Sequence, residues 1–213
     1  KYELEAYFNL ELHLRRHIPA FQTIIASGSN ATILHYSTLE RSMEAGELVL
    51  TDLGAEYQQY SADISRTFPV NGRFSGEQMD LYEIVLKANE KTIEAVKPGI
   101  SINELNDITR SELATGLKSL GMIDDDTGIS RYYTHGVAHS LGLDTHDITS
   151  GLNRTLMPGM VLTIEPGLYI EEKKLGIRIE DDVLVTEHGY RNLSESIPKK
   201  PRAVEEWMAT QAG

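Results

Sequence analysis

The sequence predicts an α+β fold made of two related halves, residues 1–97 and 98–213, folded around a shared centre. Three observations carry this expectation. A glycine, an apolar run and a carboxylate occur in the same order twice, as Gly46-Glu47-Leu48-Val49-Leu50-Thr51-Asp52 and Gly159-Met160-Val161-Leu162-Thr163-Ile164-Glu165. Each copy leads through a Gly, an aromatic residue and a polar turn to a second segment with another acid, Ala62-Asp63-Ile64 and Ile179-Glu180-Asp181. Segments of helical character flank both blocks, so the chain reads as one domain with an internal repeat.

The first helix is expected over Tyr2 to Ile18, a stretch dense in helix formers with Leu4, Phe8 and Leu12 near helical spacing. A second should start at Ser75, where Ser75-Gly76-Glu77-Gln78 has the form of a capping box, and run to Val96 before Pro98-Gly99 stops it. A third starts at the capping box Ser101-Ile102-Asn103-Glu104 and ends at Gly121. Tyr2-Glu3-Leu4 resembles Asn103-Glu104-Leu105, yet only the latter has a long helix ahead of it. The repeat therefore implies an opening helix of roughly 20 to 25 residues before Tyr2, and a further domain before that.

The β-rich blocks can bring the acids together. A reversal near Tyr57 and Gln58 sets Asp52 opposite Asp63 on adjacent antiparallel strands, and one near Glu172 and Lys173 sets Glu165 opposite Glu180. Opposed residues share a face with Cβ atoms about 4.5 to 5.5 Å apart, a spacing at which like charges need a positive partner. The flanking residues are apolar, so burial of each carboxylate costs on the order of several kcal/mol unless it is compensated. A divalent cation between each pair is the simplest compensation. A single such acid is more often an exposed strand end or an arginine partner, but four in matched positions are not.

Composition narrows the chemistry. The 213-residue chain carries a formal charge of −12, which argues against a nucleic-acid or anionic-membrane surface. It has no cysteine, so disulfides, thiolate metal sites and cysteine nucleophiles are excluded and any metal must sit on oxygen and imidazole. No run approaches the roughly 20 apolar residues of a membrane span, and a cytoplasmic protein is expected. Imidazole comes from Thr134 to Asp147, where His135, His139 and His146 lie among small residues in a chain with only 7 histidines. His35, in Ile33-Leu34-His35-Tyr36, is a fourth candidate, although taken alone it reads as structural.

These segments resemble a family. His35-Tyr36, Asp52-Leu53-Gly54, Ala62-Asp63-Ile64-Ser65-Arg66-Thr67-Phe68, His135-Gly136 through His146-Asp147, Pro158 through Tyr169 and Gly176-Ile177-Arg178-Ile179-Glu180-Asp181 follow the order and spacing of the creatinase, prolidase and aminopeptidase P group of metallopeptidases. The closing Asn192-Leu193-Ser194 and Lys199-Lys200-Pro201 look most like the aminopeptidase P branch. The resemblance covers essentially the whole chain. It implies the pita-bread fold, two pseudo-symmetric halves with a curved, mainly antiparallel sheet covered by helices.

The same resemblance implies five ligands, Asp52, Asp63, His139, Glu165 and Glu180, for two divalent ions, with Asp63 and Glu180 bridging. An oxygen-rich set suits Mn²⁺, with Co²⁺, Fe²⁺ and Zn²⁺ as alternatives. Glu165 would also accept a proton, His146 would steady the tetrahedral oxyanion and His35 would serve the departing side of the bond. His135, Tyr169 and Arg178 would shape the pocket for the ring after the scissile bond. Arg178 lies two residues from Glu180 and so shares its face, and it reads equally well as a salt-bridge partner. The implied activity is release of the N-terminal residue from Xaa-Pro peptides by a homodimer or tetramer. The alternatives are a prolidase, restricted to dipeptides, another enzyme of the same fold such as a methionine aminopeptidase or creatinase, and a silent binding module.

Overall fold

The computed structural model describes residues 1–38, 40–148 and 155–211. Helix α1 (Tyr2–Leu14) precedes strands β1 (Ile18–Pro19), β2 (Ile24–Ser27), β3 (Leu48–Leu53), β4 (Ala55–Tyr57), β5 (Tyr60–Ser61) and β6 (Ile64–Pro69). Helices α2 (Gly76–Ala95) and α3 (Ile102–Ser119) follow. Strands β7 (Val161–Ile164), β8 (Gly167–Ile170), β9 (Leu175–Arg178), β10 (Asp181–Val185) and β11 (Tyr190–Asn192) lead to helix α4 (Pro201–Gln211).

Both expected capping boxes are formed. Ser75 Oγ accepts from Gln78 N while Gln78 Oε1 accepts from Ser75 N, and Ser101 and Glu104 exchange the same pair of bonds. Helix α1 stops at Leu14 rather than Ile18. Arg16 adopts a left-handed φ of 62°, and Ile18 precedes Pro19, whose ring disfavours helical backbone at the residue before it. Ile18 and Pro19 instead pair with Glu56 and Ala55.

All strand pairs are antiparallel, in the orders β1-β4-β5, β2-β3-β6, β11-β10-β7 and β8-β9. The expected sheet is thus realised as short ladders, two of which continue one another. Ile164 pairs with Asp181 and Gly167 with Arg178, so the β7–β10 and β8–β9 ladders share one register. One step inward from Ile164 and Asp181, that register sets Glu165 opposite Glu180 as anticipated.

The first hairpin departs from expectation. Tyr57 pairs with Tyr60, which centres the turn on Gln58 and Gln59, both at positive φ (51° and 71°), the signature of a type I′ turn. A turn one residue later than expected shifts the partner by two, and Asp52 pairs with Ser65. Because strand faces alternate with period two, Asp63 keeps the face of Asp52 as its diagonal neighbour. Gly54 allows the close approach, since a Cβ there would meet Ala62 O at 1.9 Å.

Packing differs on the two sides. Helix α2 buries Leu81, Tyr82 and Val85 against Leu113 and Leu117 of α3 and against Leu168 and Ile177, while Leu162 and Ile164 pack on Ile93, Ile102 and Leu105. On β3 and β6 the opposite face borders an apolar groove of about 540 Å³ between α1 and α4, lined by Leu4, Phe8, Val49, Leu53, Phe68 and Trp207. Where the two hairpins meet, Glu180 N donates to Ser65 O at 3.0 Å and Thr67 Oγ1 donates to Arg178 O at 3.1 Å.

Candidate metal centre

The meeting of the hairpins sets four carboxylates around one imidazole. Asp52 lies in β3, Asp63 immediately precedes β6, Glu165 follows β7 and Glu180 occupies the break between β9 and β10. His139 comes from the loop before β7, held by His139 N donating to Thr163 Oγ1 at 3.1 Å and Thr163 N donating to His139 O at 3.0 Å. Its Nδ1 lies 3.2 Å from Ser140 O, so that nitrogen carries the proton and Nε2 presents a lone pair. Nε2 stands 3.4 Å from Asp63 Oδ2, 3.7 Å from Glu165 Oε1 and 4.0 Å from Glu180 Oε1. Asp63, His139 and Glu180 each offer one ligand atom, all within 4.8 Å of one another.

The donor set fits divalent cations on two grounds. Asp52 Oδ1 and Asp63 Oδ1 are buried without a hydrogen-bond partner, which is costly for a carboxylate unless a cation lies against it. Four acids with one imidazole also make a hard, oxygen-rich set. Without such cations, burial pushes Asp52 and Glu165 up to about 7, against the pull of Arg178, and the neighbouring acids add to the effect. Glu180 is driven well above its ordinary range, by burial first and then by Glu165, Asp63 and Asp52. His139 is buried, which works against its charge, but the bond to Asp63 and the charge of Glu165 prevail and raise it.

The remaining expected residues surround this cluster. Arg178, 3% exposed, donates through Nη2 to Asp52 Oδ2 (2.6 Å), through Nε to Ser65 Oγ (2.7 Å) and through Nη1 to Tyr169 OH (3.0 Å). Each of its three nitrogens thus bonds a protein group. Tyr169 OH accepts from Arg178 and is 2.9 Å from His135 Nε2, while His135 Nδ1 is 2.8 Å from Gly136 O, an arrangement that fits a neutral ring. Burial lowers His135 to about 4, consistent with that state. The His146 ring meets His139 edge-on at 4.4 Å. His35 and His146 are both exposed, and both line a cavity of about 270 Å³ with the five acid and imidazole side chains.

Sequence reasoning passed over Ser65, whose hydroxyl donates to Glu180 Oε2 at 2.6 Å while accepting from Arg178. Its signal was available, since Ser65 is two residues from Asp63 on a strand and must share its face. Asp182 was also missed. Its Oδ2 accepts from Asp63 N at 3.2 Å, and burial raises it to about 7.

Comparison with known proteins places this geometry. The pattern of metallopeptidase family M24 matches residues 1–187. The chain is 42% identical to the Xaa-Pro aminopeptidase of Haemophilus influenzae, over 98% of this chain and 53% of that protein. It is 40% identical to the Xaa-Pro dipeptidase of Pyrococcus horikoshii, over 84% of this chain and 48% of the relative. Among solved structures, a zinc-substituted Escherichia coli aminopeptidase P in complex with product superposes with a TM-score of 0.94 at 40% identity, over 98% of this chain and 52% of the other. The chain spans about half the length of the relatives it matches.

Proposed function

From a chain that belongs to metallopeptidase family M24, we infer the catalytic part of an aminopeptidase that releases the N-terminal residue from peptides with proline in second position. The observation that carries the reading is the convergence of Asp52, Asp63, His139, Glu165 and Glu180 with orphaned, buried carboxylate oxygens. These five would hold two divalent cations. When bound, the cations supply acidification of a water and polarisation of the scissile carbonyl.

The chain's own groups do the rest. Arg178 holds Asp52 through one oxygen and leaves the other free, and Ser65 does the same for Glu180. Glu165 accepts a proton on its carboxylate. His146, beside His139 on the cavity wall, donates to the carbonyl oxygen as charge develops there, and His35 gives a proton to the departing nitrogen. His135 and Tyr169, bonded to each other and backed by Arg178, form an edge against which the proline ring packs. Proline lacks an amide hydrogen and has a fixed φ, so a pocket that asks for no such donor and packs on the ring accommodates it.

The same reading carries Mn²⁺ as the resident ion, a cytoplasmic location and a homodimer or tetramer for the full-length protein. Family resemblance supports the metal and the assembly. Likeness to the Pyrococcus horikoshii dipeptidase keeps a prolidase as the second reading. The test is hydrolysis of Xaa-Pro tripeptides and dipeptides with added Mn²⁺, with Asp63→Asn as control. Metal-dependent tripeptide cleavage lost in the control supports the aminopeptidase, dipeptide-only cleavage selects the prolidase, and inactivity despite bound metal overturns both.

A further inference from the structure

Between the β7–β10 and β8–β9 ladders the hairpin keeps one bond of its own, Ile179 N to Pro166 O at 3.3 Å, but the amides of the ligands Glu165 and Glu180 do not bond across it. Glu165 N donates instead to Val137 O at 2.8 Å and Glu180 N to Ser65 O at 3.0 Å. The neighbouring carbonyls then need donors from elsewhere. Two buried side chains supply them. Asn89, in the middle of α2 and 0% exposed, donates through Nδ2 to Ile164 O (3.1 Å) and Ile179 O (3.2 Å), the carbonyls immediately before the two ligands. Arg66, 3% exposed, donates through Nη1 to Glu180 O (2.6 Å) and Ser65 O (2.9 Å).

These two donors are themselves held. Arg66 Nη2 reaches Asp181 Oδ1 at 2.8 Å and its Nε reaches Pro198 O at 3.2 Å. Lys199 Nζ donates to Asp181 Oδ2 at 2.6 Å and to Asn89 Oδ1 at 2.7 Å. An ammonium can only donate, so Lys199 fixes which end of the Asn89 amide faces the carbonyls. Every bond in the set either ends on main chain beside Glu165 or Glu180 or orients a group that does.

We propose that Arg66, Asn89, Asp181 and Lys199 form a positioning network that sets the main chain of Glu165 and Glu180 for metal capture. The inference rests on the two-metal reading above. It assigns Arg66 its planar fork rather than its charge as the working part, because one group must serve Glu180 O, Ser65 O, Asp181 and Pro198 O together.

The test is Mn²⁺ titration by calorimetry, with low-temperature EPR of the loaded protein and thermal unfolding, on Arg66→Lys, Lys199→Met and Thr92→Val. Thr92→Val breaks the buried hydrogen bond between Thr92 Oγ1, on the same helix face as Asn89, and Thr109 Oγ1 at 2.6 Å. That bond ends on none of the groups in the network, so the variant reports structural loss alone. Expected for Arg66→Lys and Lys199→Met is a fall in Mn²⁺ affinity of about tenfold to a hundredfold with an altered spin-coupled spectrum. Thr92→Val should lose stability and keep both. Should Arg66→Lys fail to fold, Lys199→Met decides by the same readouts. Two ions bound with unchanged affinity and spectrum in the folded variants would overturn this inference alone. A wild type that binds no Mn²⁺ would overturn the metal reading and the inference with it.

Discussion

Replacing Glu165 with Gln should stabilise the metal-free protein at alkaline pH. The carboxylate is pushed from 4.5 to about 7 by burial and by its acidic neighbours, so ionising it in the folded state is unfavourable. A shift of that size corresponds to about 3 kcal/mol once both folded and unfolded forms are ionised. A raised carboxylate leaves stability intact below its unfolded value and removes it as pH climbs through the folded value. The wild type should therefore weaken between about pH 5 and pH 8, and Glu165→Gln, neutral at that position and of the same shape, should weaken less, because Asp52 and Asp182 still ionise there while the Glu165 share is gone. In EDTA at pH 8 the variant should melt roughly 6 to 12 °C higher, with the gap nearly closed at pH 5. Saturating Mn²⁺ should reverse the order, because the wild type then binds an ion that the variant holds poorly. Differential scanning calorimetry across that range is the assay. A variant less stable than wild type in EDTA at pH 8, or a gap independent of pH, would refute the reasoning.

Four further outcomes are expected. Asp63→Asn should abolish two-ion binding, read as metal content after dialysis, and with it metal-dependent hydrolysis. Ser65→Ala leaves Glu180 and Arg178 each short of a buried partner, and should cost about 1 to 3 kcal/mol in urea unfolding together with Mn²⁺ affinity. Mn²⁺ binding near pH 6.5 should release protons from Asp52, Glu165 and Glu180, seen as a calorimetric enthalpy that varies with buffer ionisation heat, and the affinity should rise with pH through about 7. Changing Gln58-Gln59 to Asn-Gly, residues that accept positive φ readily, should raise stability by about 1 kcal/mol without altering hydrolysis.

What the sequence disclosed followed from how local each signal was. The starts of α2 and α3 were legible because Ser75 with Gln78, and Ser101 with Glu104, complete their bonds within one turn. The second hairpin was placed correctly from its charged turn, whereas the first was misplaced because Gln58 and Gln59 enter left-handed backbone without the glycine or asparagine that usually announces it. The four acids were visible in the repeat, and the diagonal relation of Asp52 to Asp63 was not. Arg66, Asn89 and Lys199 were opaque for a different reason. Their partners lie across the fold, as when Arg66 reaches Glu180 and Lys199 reaches Asn89, and no local pattern encodes such a pairing.

The ion-binding groups run from Asp52 to Glu180, and the carbonyls that brace Arg66 belong to Ile197 and Pro198. A ribosome therefore delivers the first two acids long before the histidine and glutamates that complete the cluster, and the brace arrives after all of them. A translation product interrupted before these groups has carboxylates but not the assembled cluster. The proposed centre can be completed only when the stretch through Lys199 has emerged and folded back, so the order of synthesis itself withholds it from shorter nascent chains.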